Sequence, residues 1–242
     1  AGDSADVYDG VEAFRAAIKS ALPWQAVTSA HSWGWLAAMA GDWELAIEGY
    51  REMTALLGKT APRSLPRHDR EARLAFAAPS PATCAAVCLS AGQPETAVEL
   101  FEQQHGILIG DAVGLRSDLS SLAAAEPELA ERWNTAVEAL LALEVAMNEE
   151  GVTARKARSS ELDEILDQIR TRRGFEGFLL PNSFGDLTRD LPDGYVVIVI
   201  CSSLRCDALV LDRSGRVDSI SLPLLRSQEA IERALSIVEM FD

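Results

Sequence analysis

Residues 195–211 read YVVIVICSSLRCDALVL. Two apolar, β-branched runs flank a short polar segment, which predicts two buried strands joined by a turn. The first run, Tyr195 to Cys201, has no charged residue and predicts a strand covered on both faces, as in an α/β layer fold. The pattern continues as a hairpin through RCDALVLDRSGRVDSISLPL (205–224), with 212–215 as its turn. From Ser227 onward, Ile231, Leu235 and Val238 form a helical stripe. One such helix covers too little of so apolar a sheet. The sheet is therefore expected to keep an unfinished edge, at Tyr195–Cys201 or at 207–211, against which further chain or a second polypeptide packs.

The sequence before this hairpin reads almost entirely as helix. GDWELAIEGY (41–50) and GQPETAVELF (92–101) share one pattern: Gly, Glu, Ala, Ile or Val, Glu and an aromatic at matching positions. Gly41 and Gly92 each follow an apolar helical segment, where a residue with positive φ ends a helix. Ala46 and Ala97 then fall early in the next helix, where a small side chain lets two helices approach, with Tyr50 and Phe101 one turn on. Gly34 and Ala85 take the small position in the preceding helices.

This is the spacing of a tetratricopeptide-type helical hairpin. The copies are 51 residues apart, against a repeat of about 34, so an inserted helix is expected, and PRHDREARLAFAAP (66–79) supplies it. Further stripes are Val11, Phe14, Ile18 and Leu22, ended by Pro23, and Leu45, Tyr50, Met53 and Leu57, ended by Gly58. Behind Pro127, at a first helical position, Leu129, Trp133, Val137, Leu140 and Met147 share a face. NEEGVTARKARSS (148–160) breaks the periodicity and reads as linker or exposed loop, after which Ser160 and Asp163 suggest a capped helix start. RRGFEGFLLP (172–181) interrupts that helix, and a short one is expected over 183–189. The chain is thus expected to be mainly α: an irregular TPR-like array over 1–150, a linker at 151–160, and the opening strands and helices of an α/β domain over 161–242.

Composition excludes some functions. The chain has 242 residues, 48% hydrophobic, with 37 acidic against 22 basic residues and a net charge of −15. A phosphate-tracking surface needs a basic stripe, so no nucleic-acid partner is expected; Arg155, Lys156 and Arg158 read as a solvated basic loop. The longest strongly apolar run is far shorter than a membrane span. Asp3, Asp6 and Asp9 stand where a signal peptide carries basic residues. No membrane association is expected, and the chain reads as cytoplasmic.

Four cysteines raise metal and nucleophile chemistry. Cys84 and Cys88 lie one turn apart in an alanine-rich apolar helix, while Cys206 and Cys201, which ends an apolar strand, bracket a turn; all read as packed thiols rather than zinc ligands or a disulfide framework. A nucleophilic thiolate needs a base or positive field beside it, and no basic residue lies within four positions of Cys84 or Cys88. His105 follows the second repeat helix, but it reads as a packed or exposed histidine rather than as a base for either thiol. Glu126 and Glu128, flanking Pro127, read as helix N-terminal charges rather than an acid–base pair. No glycine-rich phosphate loop follows Cys201, and Asp193-Gly194 reads as a turn. No metal, cofactor or catalytic residue is assigned. The partner-binding residues expected from the repeat alignment are His31 and Trp35, one turn apart on the concave-lining face.

Three stretches together carry a resemblance: AVELFEQQHGILIGDAVGLRSDLSSLAAAEPELAERW (97–133), GFEGFLLP (174–181) and VVIVICSSLRCDALVLDRSGRVDSISLP (196–223). In this order, with LRSDL, GFEGFLLP and RCDAL at family-like separations, the chain resembles CHAT proteins, caspase-like cysteine peptidases with tetratricopeptide repeats on their N-terminal side. The likeness runs from about residue 30 to 242. It implies a repeat region that senses a protein or peptide partner, followed by the N-terminal part of a caspase-like α/β domain. The family's catalytic histidine lies in an Ala-Cys-His-Gly motif and its cysteine in a Ser-Ala-Cys motif, and neither motif occurs here. The resemblance therefore transfers no catalytic residue, and implies that the remaining CHAT domain, or a second polypeptide, packs at the sheet edge. The alternatives are a free-standing helical-repeat adaptor and an α/β enzyme with an unrecognised site.

Overall fold

The computed structural model describes residues 4–77, 81–113, 119–143, 148–189 and 191–238. It is mainly helical with one small antiparallel sheet, and the chain forms two compact units. The first comprises Ala1–Leu57, Ala77–His105 and Asn182–Asp242; the second comprises Gly58–Phe76 and Gly106–Pro181. This division differs from the expected one at residues 150 and 160, because two helices, α3 (Trp43–Thr60) and α6 (Pro94–Val113), run from one unit into the other.

The first unit contains α1 (Ser4–Ser20), α2 (Pro23–Ala40), most of α3, α5 (Pro81–Ser90) and the start of α6. The two sequence copies fold alike. Gly41 and Gly92 take left-handed backbones, φ +81° and +74°. Gly41 N donates to Ala38 O at 3.1 Å and Asp42 N to Ala37 O at 3.0 Å; Gly92 N donates to Leu89 O at 3.1 Å and Gln93 N to Cys88 O at 2.9 Å. Both are Schellman closures, which satisfy the last carbonyls of α2 and α5 and turn the chain into α3 and α6. Ala46 and Ala97 follow, both fully buried. The glycines between α2 and α3 explain how close these helices come: a Cβ on Gly34 would meet the Tyr50 ring at 2.9 Å. Leu22 departs from its expected stripe. It lies 61% exposed between α1 and α2, because Pro23 already begins the next helix. Gly58 likewise does not end α3, which continues to Thr60.

The second unit holds α4 (Arg67–Ala77), the helix expected between the copies, with α7 (Ser120–Ala125), α8 (Pro127–Leu141) and α9 (Glu149–Arg170). Its core is Leu129, Trp133, Val137 and Leu140 of α8 against Leu162, Ile165, Leu166 and Ile169 of α9. Phe175, Phe178 and Leu179 of the 172–181 turn region close it, with Phe178 edge-on to Trp133 at 5.8 Å. Met147 and most of LRSDL (115–119) lie outside the described residues.

The expected linker at 151–160 is helical, and Ser160 is in mid-helix. Asn148 caps α9 by accepting from Gly151 N at 2.9 Å. Arg155 is buried and donates from Nη2 to Leu143 O at 2.5 Å, while Arg158 pairs with Glu161 at 2.6 Å. The polar surface of α9 hid its continuity: its apolar stripe is sparse over the first turns and dense only from Leu162.

The sheet belongs to the first unit. Its strands, β1 (Tyr195–Cys201), β2 (Cys206–Asp212) and β3 (Val217–Ser221), form an antiparallel meander in the order β1-β2-β3. Two expectations change. The segment 207–211 is central, not an edge. And β1 is not covered on both faces: Tyr195, Val197 and Val199 are 71%, 55% and 54% exposed, while Ile200 is buried. The helix α10 (Phe184–Arg189) lies against α6, with Phe184 N donating to Glu99 Oε2 at 3.3 Å. The helix α11 (Ser227–Val238) follows β3; the side chains of Ile231, Leu235 and Val238 lie outside the described part.

Candidate partner surfaces and thiol sites

The exposed side of α2 is a stripe rather than a point. His31 is half-buried, Trp35 is 38% exposed one turn on, and Trp24 and Met39 extend the same side at 48% and 55%. Helical spacing of four, three and four residues puts Trp24, Thr28, His31 and Trp35 in one row. The His31 ring stands edge-on to Tyr50 at 5.9 Å. Burial holds its pKa below the usual histidine value, because the imidazolium would lose water there. Trp33, two residues before Trp35, points the other way into the core beneath the Arg15 guanidinium, 4.4 Å from its ring.

The cysteines form two pairs of different kinds. Cys84 and Cys88 on α5 are completely enclosed. A hydrogen bond with Cys88, and then burial, push the Cys84 thiol well above its ordinary pKa. A thiol so held is not a nucleophile at neutral pH. The polar neighbour that sequence reasoning missed is Gln104: its amide partly offsets the upward shift of the Cys84 thiol, and it donates through Nε2 to Thr54 Oγ1 at 3.1 Å. His105 instead turns its Nδ1 to Phe101 O at 2.9 Å, and its ring lies tilted against the Phe101 ring with centroids 4.2 Å apart. The second pair, Cys201 and Cys206, faces across the β1–β2 hairpin with Sγ atoms 3.7 Å apart. That juxtaposition was legible: a hairpin with 202–205 as its loop must pair 201 with 206.

The other acidic and basic residues singled out are structural. Glu126 lies 3.8 Å from Arg172, and Glu128 sits in the first turn of α8. Asp193 pairs with Arg213, and Gly194 has a positive φ of 114° at the turn before β1. Among the described residues no group of three or more His, Cys, Asp and Glu side chains is placed to hold a metal ion, and no helix is long and apolar enough to cross a membrane.

The free edge of the sheet has a definite chemistry. Ser202 N donates to Arg205 O at 3.2 Å, so Ser202 and Arg205 are a hydrogen-bonded pair. Pairs alternate along an antiparallel ladder; hence Ile200, Ile198 and Val196 bond to β2. Tyr195, Val197, Val199 and Cys201 turn their N–H and C=O groups outward. The bonds on the other side of β2 agree, since Leu222 N donates to Cys206 O and Asp212 N to Arg216 O. Among the described residues, apolar side chains and unpaired backbone therefore coincide along one uncharged strand, which has neither the lysine nor the proline that commonly guards an edge. Against the helices, β1 packs on α5, where Ser202 Oγ reaches Thr83 Oγ1 at 3.5 Å.

The chain matches no family model, no curated protein and no solved structure.

Proposed function

We propose that this chain is the partner-sensing helical region and the non-catalytic N-terminal portion of a CHAT-type, caspase-like cysteine peptidase. The observation that carries the reading is β1, an uncharged edge strand with exposed valines and outward-facing backbone groups. Such an edge is completed by another strand, from further chain or from a second polypeptide. The matched Gly41 and Gly92 closures with enclosed Ala46 and Ala97 support a tetratricopeptide-type arrangement. The thiol environments support the absence of catalysis here: Cys84 is held protonated, and no histidine beyond His105 exists in the sequence.

The test has two arms. The purified chain is incubated with denatured protein and with a cysteine-reactive peptidase probe; no hydrolysis is expected. The reading frame of its gene is then searched beyond Asp242 for Ala-Cys-His-Gly followed by Ser-Ala-Cys, and a chain including both should hydrolyse protein. Hydrolysis by the present chain that is lost in Cys84→Ala or Cys201→Ala would overturn the proposal.

A second reading, a free-standing helical-repeat adaptor, is favoured by the Trp24–Trp35–Met39 stripe on α2, an aromatic anchor surface of the kind found at binding hot spots. A reading frame without those two motifs selects it.

A further inference from the structure

Cys201 and Cys206 are the last cross-strand pair of the β1–β2 hairpin. Because the flanking pair, Ser202 and Arg205, is hydrogen-bonded, alternation makes Cys201–Cys206 a non-hydrogen-bonded pair. Pairs of that kind bring their Cα atoms to about 4.5 Å, within the span a disulfide bridges. The thiols already touch: Cys206 Sγ lies 3.7 Å from Cys201 Sγ and 3.6 Å from Ser202 O. Access is asymmetric. Cys201 is half-buried and reaches solvent, whereas Cys206 is 9% exposed.

We propose that Cys201 and Cys206 form a dithiol–disulfide modification site, oxidised by hydroperoxides and reopened by thiol reductants. Cys201, the accessible thiol, attacks the peroxide as its thiolate: an S–O bond forms, the O–O bond breaks, and the departing hydroxide takes up a proton as water (an alcohol for an alkyl peroxide). The Cys206 thiolate then attacks the Cys201 sulfur; the S–S bond forms, the S–O bond breaks and water leaves. Two thiols and one hydrogen peroxide give one disulfide and two waters. Burial and the neighbouring thiol raise the Cys201 pKa, so the reaction is slow at neutral pH and quickens as pH rises. Cys84 and Cys88 are the internal control. They lie on one turn of one helix and are fully enclosed, so peroxide reaches neither. This site stands independently of the peptidase reading.

The test is a thiol count on the native chain. Protein treated with hydrogen peroxide, quenched and unfolded is alkylated with N-ethylmaleimide and weighed intact. Adducts should fall from four, one for each free cysteine, to two, and dithiothreitol should restore four. Trypsin cleaves after Arg205, so peptides 190–205 and 206–213 should remain covalently joined after oxidation and separate on reduction. This map needs no variant and decides the pairing even if Cys201→Ser or Cys206→Ser fails to fold; where they fold, Cys201→Ser should keep three alkylatable thiols after treatment, whereas Cys206→Ser should keep two and carry added oxygen on Cys201 without any linkage. In the parent chain, four adducts after peroxide, a sulfinic acid on Cys201 with no linkage, or a linkage involving Cys84, Cys88 or a second chain would overturn the proposal.

Discussion

Gly49 of α3 rests directly on Gly34 of α2: a Cβ placed on Gly49 would lie 2.6 Å from the Gly34 backbone nitrogen and 2.8 Å from its Cα. Backbone cannot give way as a flexible side chain does. Gly49→Ala should therefore overpack the crossing and destabilise by about 1–3 kcal/mol, despite the better helix propensity of alanine. Gly58→Ala is the counterpart. It lies in the same helix with nothing within 4 Å of its added Cβ, and should stabilise by about 0.5–1 kcal/mol. Urea unfolding midpoints of the two variants should move in opposite directions.

His31 sets a pH dependence of known sign. Its folded pKa is lowered from 6.5 by burial, so the folded state binds fewer protons than the unfolded one. That contribution to stability is complete above 6.5 and is lost as pH falls toward the folded value. Asp186 and Asp212 are also lowered, but from 3.8, so their losses come in a separate, more acidic window. The thermal midpoint should decline in two stages on acidification, and His31→Gln should flatten only the first. A first stage unchanged by the substitution would show that the His31 ring is solvated.

These two sites also show what the sequence made legible. The turns at Gly41 and Gly92 and the small residues at 34, 46 and 97 were readable because close helix approach admits few side chains. The strands were readable from their β-branched runs. Residues 148–160 were misread because the inward positions of this helical stretch are Gly151, Arg155 and Ser159, none of them apolar, so no hydrophobic period shows. The open face of β1 was missed for a related reason: an apolar residue at every position looks the same whether one face or both are covered. Gln104 was passed over because its neighbours, Thr54 and Cys84, lie far from it in sequence.

Asp207 is the buried charge on which the hairpin depends. It is fully enclosed, and Arg205 grips it from Nε and Nη2 at 2.7 Å each, with Ser219 Oγ at 3.5 Å. The Arg205 side chain is 34% exposed, so the pair is partly screened. Asp207→Asn keeps the volume but leaves the guanidinium without its anion, and should cost about 2–4 kcal/mol. Replacing both residues by a methionine–leucine pair should recover most of that loss. Chemical denaturation of the single and double variants measures it.

The alternation of hydrogen bonds along β1 predicts that neighbouring proline substitutions differ sharply. Ile198 faces Leu209 and sends its N–H into the β1–β2 ladder, so Ile198→Pro removes a bond and should cost about 3 kcal/mol or more. Val199 sends its N–H outward, where proline loses nothing inside the molecule and the preceding extended residue already suits it. Val199→Pro should therefore unfold at nearly the parent midpoint. It should also abolish whatever pairs with the edge. In sedimentation velocity the parent chain, with Tyr195, Val197 and Val199 exposed, should associate as concentration rises, and Val199→Pro should not. A larger loss from Val199→Pro than from Ile198→Pro would mean that the bonding pattern is shifted by one residue, and that Val197 and Val199, not Ile198 and Ile200, bond to β2.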